Sequence, residues 1–386
     1  MEHPKRVLHI VSSMGRGGAE TLIMNIYRNI DRTKVQFDFI IHSQDKEDSS
    51  YDDEIKSMGG EIYSIPSLGT TGPIKYIKSL IDVMSANNYI AIHAHTDYQS
   101  GFPALAAKIC GIENRICHSH SNNWLKRNSL KEIVMLKTLQ GLIKFSATKF
   151  CSCSEEAAEF LFGKRRNNRV QILNNGIDIS KYIDIDPDSR NSVLKELHLE
   201  EDVKIIGHVG RFSESKNQMF ILKVLKTLVE EDPSFVAILI GEGPLRGTIE
   251  KEAKKLGLLE HIRFLGIRSD IARLMNAFDI FLFPSLFEGF GIVMLEAQSS
   301  GTPCIASTFV TNSTDMGLGL VTYIDLEDDM DKWCDHINAA IVMDRPNKQS
   351  IIKNISNLGF SIQESLNDWL RLYGILSQTK DGGMTY

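Results

Sequence analysis

The stretch Pro284-Ser285-Leu286-Phe287-Glu288-Gly289-Phe290-Gly291-Ile292-Val293-Met294-Leu295-Glu296-Ala297 carries two carboxylates around a glycine-containing turn. Its pattern predicts the end of a strand, a turn at Gly289, Phe290 and Gly291, and then a helix, with Glu288 at the helix start and Glu296 about two turns in. Carboxylates so placed accept hydrogen bonds from the paired hydroxyls of a sugar or a ribose. The plain alternative is a solvated helix whose first glutamate complements the macrodipole. A second cluster, Gly207-His208-Val209-Gly210-Arg211-Phe212-Ser213-Glu214-Ser215-Lys216-Asn217, puts Arg211 and Lys216 just past a strand at a helix entry. Free N–H groups there favour anions, and two cations beside them suit a diphosphate. A solvated helix start would show the same two residues.

Glycine-rich turns recur. Gly15-Arg16-Gly17-Gly18-Ala19-Glu20 has a glutamate where a dinucleotide fingerprint needs glycine, and Gly241-Glu242-Gly243-Pro244-Leu245-Arg246-Gly247 places its last glycine one position late. No Gly-x-x-x-x-Gly-Lys-Ser/Thr occurs, so these turns suit phosphates without being NAD or ATP motifs, or are ordinary tight turns. His93-Ala94-His95 and His118-Ser119-His120 each end a strand pattern, and residues two apart in a strand share one face. The pairs could converge over a cleft. No cysteine or carboxylate cluster accompanies them in the sequence, so the expectation is no metal.

Positioning these residues requires a particular alternation of elements. Short apolar runs at Arg6–Ser12, Val35–Ile41, Glu61–Ile65, Tyr89–Ala94, Arg115–Ser119 and Phe150–Cys153 are separated by helical periods, which predicts βαβ units and a parallel sheet. The scheme restarts at Val203–Val209, Phe235–Ile240, Ile262–Leu265, Ile280–Phe283 and Cys304–Ala306, with helices beginning near Lys216, Leu245, Ser269 and Phe290. Two doubly wound α/β domains follow, spanning 1–180 and 181–360, with the polar stretch Ile179–Arg190 as boundary. A last helix, Ile362–Leu376, lies in the segment 361–386 and is expected to pack back on the first domain through Trp369, Leu372 and Tyr373.

The 386 residues carry 43 basic and 49 acidic side chains, a net charge of −6, which disfavours general nucleic-acid binding. The longest apolar run, Phe235–Ile240, is too short to cross a bilayer, and Met1-Glu2-His3-Pro4 leads straight into a strand pattern. A cytoplasmic chain with free thiols is expected. Between Trp124 and Arg169 basic residues outnumber acidic ones, and Leu130, Ile133, Val134, Leu136, Leu139, Leu142 and Ile143 recur at helical spacing beside Lys126, Arg127 and Lys131. Such a helix could dock on anionic lipid, or simply cover a sheet.

Taken in order, Gly17-Gly18-Ala19-Glu20, Asn175-Gly176-Ile177-Asp178, Gly210-Arg211 with Lys216, Gly241-Glu242-Gly243-Pro244, Phe264-Leu265-Gly266 and Pro284-Ser285 running into Glu288 and Glu296 resemble family 4 of the retaining glycosyltransferases. The wider phrasing is most similar to members from bacterial exopolysaccharide and capsule clusters. The resemblance implies the GT-B fold, two Rossmann-like domains facing across a cleft, the second binding the donor. It implies that Arg211 and Lys216 hold the donor diphosphate, that Glu296 binds the ribose and that Glu288 meets the donor sugar beside Gly289, Phe290 and Gly291. Gly17 and Gly18 would approach the phosphates, and His118, or else His120, would be the cleft histidine. The implied reaction moves a sugar from a nucleoside diphosphate sugar, UDP-linked by preference, to a lipid-linked saccharide, with retention and without metal or other cofactor, at or near the inner membrane face. The rivals are a phosphorylase or synthase of the same fold and a catalytically silent nucleotide-sugar-binding scaffold. Asn174, where proline is usual, and Thr308-Phe309-Val310, where a Gly-Gly turn is usual, depart from the family pattern.

Overall fold

The computed structural model describes residues 3–15, 17–42, 51–121, 130–163, 169–183, 186–288 and 290–376. They form two compact units. The first comprises the chain up to Gly176 and again from Ile362, and the second runs from Ile177 to Ser361.

The first unit holds a seven-stranded parallel sheet in the order β3-β2-β1-β4-β5-β6-β7. Its strands are β1 (Lys5–Ile10), β2 (Val35–Ile41), β3 (Ile62–Ser64), β4 (Tyr89–Ala94), β5 (Asn114–Ser119), β6 (Lys149–Ser152) and β7 (Val170–Ile172). Every residue of β2 is buried, as a parallel strand covered on both faces requires. The one charge in it, Asp38, is matched by the Arg6 guanidinium, whose Nε donates at 2.6 Å, and by the Glu61 N–H at 2.8 Å. The helix Ile362–Leu372 closes this unit, with Ile362, Leu366, Trp369, Leu372 and Tyr373 in the same core as Val7, Phe37 and Phe39.

The second unit repeats the topology with six parallel strands in the order β10-β9-β8-β11-β12-β13. These are β8 (Lys204–Val209), β9 (Phe235–Ile240), β10 (Ile262–Gly266), β11 (Ile280–Phe283), β12 (Cys304–Ser307) and β13 (Val321–Ile324). Here the described residues of the polar stretch expected to be a linker belong to the second unit. Tyr182 and Val193 join the core, Arg190 bonds both oxygens of Asp279 at 3.0 and 3.1 Å, and the unit begins at Ile177. In both sheets strand order reverses beside the first strand, between β1 and β4 and between β8 and β11. Loops leaving the carboxyl ends of two strands diverge at such a point and leave a crevice for a ligand. Among the described residues no helix is long and apolar enough to cross a membrane.

Candidate active site

The second crevice collects most of the residues singled out in the sequence. Arg211 and Lys216 lie on the loop leaving β8, and Glu288 on the loop leaving β11. Three bonds tie the two loops together. Asn217 Nδ2 donates to the Pro284 carbonyl at 3.1 Å, the Leu286 N–H donates to the Ser215 carbonyl at 2.8 Å, and the Lys216 ammonium pairs with the Glu288 carboxylate. Asn217 reaches its position in a left-handed conformation, φ 54°, which asparagine tolerates better than most residues. Lys216 also lies 4.8 Å over the Phe283 ring, a cation–π contact that fixes its stem. Gln218 braces the loop from beneath, donating to the Arg211 carbonyl at 2.9 Å and lying 3.2 Å from Nε2 of His208. The Arg211 side chain is exposed, and its guanidinium has no partner among the described residues.

The glycines of the second turn serve this loop. A Cβ on Gly241, at φ 135°, would overlap the Gly210 carbonyl oxygen, and one on Gly243 would overlap that of Phe212. The Phe212 N–H in turn donates to the Glu242 carbonyl at 2.9 Å. Glycine therefore lets β9's turn press against the Gly210-Arg211-Phe212 backbone and hold it. The first unit differs. Gly17 precedes the helix Gly18–Asn29 with φ −80°, and a Cβ on Gly18 would meet nothing within 4 Å. Neither conformation nor packing demands glycine at Gly18.

Glu296 lies in the helix Ile292–Ser299, so it stands just over one turn in, nearer the loop than the two turns expected. It is 9% exposed. Burial pushes its carboxyl up to about 7, against the hydrogen bond from Tyr182 and the charge of Lys181. A desolvated carboxylate aimed at hydroxyl donors is poorly explained as a solvated helix residue. Tyr182 and Lys181 are functional neighbours the sequence did not disclose, since the helix Ser180–Ile183 falls in the expected linker. Phe290 is buried against Phe360, and Gly291 adopts φ 82° at the helix entry. Gly289 lies outside the described residues, as do Lys126 and Arg127.

The crevice of the first unit gathers five histidines. His93 and His118 meet at 3.1 Å, His95 and His120 at 2.8 Å, and His9, on β1, reaches His95 at 3.1 Å. His9 was not anticipated, although its pairing opposite His93 in the β1–β4 register brings it there. Burial lowers all five imidazoles, His9 to about 3 and His120 to about 4, so the rings are neutral near pH 7.

Two doubly wound α/β units, the second with Arg211 and Lys216 on the loop at its topological switch point, have the build of an enzyme that handles a phosphate-linked ligand. Residues 16–181 match the model described as Glycosyltransferase Family 4, and residues 189–317 match that of Glycosyl transferases group 1. A Bacillus subtilis protein named as the glycosyltransferase EpsF is 40% identical over 377 residues, 97% of each chain. The capsular polysaccharide biosynthesis glycosyltransferase CapH of Staphylococcus aureus is 28% identical over 80% of this chain and 82% of its own. The UDP-Gal:alpha-D-GlcNAc-diphosphoundecaprenol alpha-1,3-galactosyltransferase of Escherichia coli is 27% identical over 62% of this chain and 64% of its own. Among solved structures, Anabaena HepE in complex with UDP shares the fold, with a TM-score of 0.76 at 20% identity over 96% of this chain and all of that one. The chain belongs to glycosyltransferase family 4 and has the GT-B fold.

Proposed function

We propose that this glycosyltransferase moves a hexose-type unit, with retention, from a UDP-sugar to a lipid-linked saccharide in exopolysaccharide or capsule synthesis. The observation that carries the reading is the joining of the β8 and β11 loops through Lys216 and Glu288, with Arg211 on the first of these loops and the buried Glu296 in the helix that follows the second. In the transition state negative charge builds on the departing diphosphate, and Arg211 and Lys216 are suited to stabilise it without a divalent cation. A preorganised donor of this kind contributes roughly 3 kcal/mol, about a hundredfold in rate. The bond between the sugar's anomeric carbon and the diphosphate oxygen breaks, and a bond to the acceptor oxygen forms on the same face. The acceptor's hydroxyl proton passes to the leaving phosphate. Glu296 accepts from the ribose hydroxyls, Glu288 meets the donor sugar together with His118 or His120, and Gly289, Phe290 and Gly291 shape its seat. Gly17 and Gly18 meet the phosphates, which is consistent with a glycine that nothing in its own unit requires.

The acceptor class is supported by the Staphylococcus and Escherichia relatives, whose names specify capsular polysaccharide and a diphosphoundecaprenol acceptor. Membrane association is supported by the helix Leu130–Ser146, where Leu130, Val134 and Met135 are 77%, 57% and 46% exposed beside the exposed Lys131 and Lys137. Apolar side chains in water beside cations fit the inner, anionic face of a membrane. The test is a thermal-shift comparison of UDP, GDP and ADP, followed by proton NMR of the transfer product. A selective shift with UDP and a product of the donor's own anomeric configuration are expected. No shift with any nucleotide, or an inverted product, would refute the reading.

A further inference from the structure

The first unit's histidines are more ordered than a patch of polar residues filling a sheet end. His95, His118 and His120 each offer one ring nitrogen, and the three lie within 4.8 Å of one another. Each of two rings is faced on its other side by a neighbour. Nε2 of His95 faces Nδ1 of His9 at 3.1 Å, which leaves Nδ1 of His95 directed at Nε2 of His120, 2.8 Å away. Nδ1 of His118 faces Nε2 of His93 at 3.1 Å, and the other nitrogen of His93 meets the Tyr373 hydroxyl at 2.9 Å. Nε2 of His118 is then fully buried with no hydrogen-bond partner among the described residues. A buried polar atom without a partner is costly, and here it belongs to a nitrogen whose ring is already oriented by its other side.

We propose that His95, His118 and His120 form a binding site for a divalent transition metal of the zinc class, through Nδ1 of His95 and Nε2 of His118 and His120. Neutral imidazoles are the common ligands of such ions, and the ligands' remaining nitrogens are ordinarily held by an outer shell of hydrogen bonds. His9 and His93 supply that shell for His95 and His118. The ligands sit at or just beyond the ends of β4 and β5, so strand geometry and not a flexible loop sets their spacing. Binding requires these two rings, His95 and His120, to turn from facing each other at 2.8 Å to the about 3.3 Å edge of a tetrahedron with bonds of about 2.0 Å. Asp97, which accepts the backbone N–H of His120 at 2.7 Å, brings a carboxylate to the same corner. A lone pair bound to metal is not free for a sugar hydroxyl. This inference rests on the proposed function at one point: where His118 or His120 serves the donor sugar, a bound ion occupies that nitrogen and slows transfer.

The experiment is titration of the full-length, tag-free, chelator-stripped protein with Co²⁺, read by its visible d–d absorption, followed by displacement with Zn²⁺. One ion per chain is expected, with affinity at least a hundredfold lower in His120→Gln and about tenfold to a hundredfold lower in His93→Phe, which loses only an outer-shell bond. Thermal transitions of the metal-free proteins establish that the variants fold. Absence of stoichiometric binding by the wild type, leaving an imidazole hydrogen-bond chain only, would overturn the proposal, and so would undiminished affinity in a folded His120→Gln. Because UDP binding is titrated separately in chelator, failure here leaves the donor-site reading standing.

Discussion

Glu296 concentrates the chemistry of the site in one protonation state. Its carboxyl rises from 4.5 to about 7 through burial, so the native state keeps a proton that the unfolded chain gives up. The resulting cost to stability is absent below about pH 4.5, grows as pH rises, and is complete above about pH 7 at roughly 3 kcal/mol. Glu296→Gln is therefore expected to be more stable than wild type at pH 8 and close to it at pH 4.5, by urea denaturation. A ribose donating to this carboxylate favours its ionised form. Binding of a UDP-sugar near pH 6.5 should then release protons, measurable by calorimetry in buffers of different ionisation enthalpy, and the release should vanish in Glu296→Gln. Glu288→Gln is expected to keep its affinity for free UDP while losing transfer, since its role is at the sugar; parallel loss of UDP affinity would contradict separate roles. The positions of Arg211, Lys216 and both glutamates in the fold were legible in the sequence because a strand end, a glycine turn and a helix start are local signals. Tyr182, Asn217 and His9 were not, because each acts through a contact with a residue far away in the chain.

At the scale of elements, Gly241 and Gly243 press on backbone and Gly18 stands in open space, whereas a Cβ on Gly17 would meet the Glu20 carboxylate. Gly241→Ala puts a methyl group into the Gly210 carbonyl at a left-handed backbone position, and a loss of about 2 kcal/mol or more is expected in equilibrium unfolding. Gly18→Ala has open space around it, and its stability should be unchanged or slightly raised by helix propensity. Bulk at this turn should instead tell on function, with Gly17→Val lowering transfer far more than UDP binding. Equal losses of stability in Gly241→Ala and Gly18→Ala would collapse the distinction. Buried parallel strands were readable as short runs dense in apolar, β-branched and aromatic residues, and Val35–Ile41, Phe235–Ile240 and Ile280–Phe283 coincide with the runs expected. β7 is only three residues long, and β13, Val-Thr-Tyr-Ile after a glycine-rich turn, lacks such a run. Both are too short to stand out as runs, although Val, Thr, Tyr and Ile all favour strands, and each pairs with a neighbouring strand.

At the scale of the molecule, the repeat of one topology in two units was written in the strand alternation, whereas the point at which the chain changes units was not. Polar composition suggested Ile179–Arg190, but Tyr182 and Arg190 find partners inside the second unit, which begins at Ile177. The exposed apolar face of Leu130–Ser146 belongs to this scale too. Val134→Glu with Lys131→Glu should weaken cosedimentation with anionic vesicles, and added salt should weaken it further in the wild type; unchanged cosedimentation would reduce that face to a solvated one. The central claim is that the joined β8 and β11 loops of the second unit carry transfer from a nucleoside diphosphate sugar. The most direct measurement is the initial rate of UDP release from a UDP-hexose in the presence of a diphosphoundecaprenol-linked saccharide, for wild type, Arg211→Ala and Lys216→Ala. Each variant, folded by circular dichroism, is predicted to retain about 1% of the wild-type turnover or less. Turnover within a fewfold of wild type in either variant would contradict it.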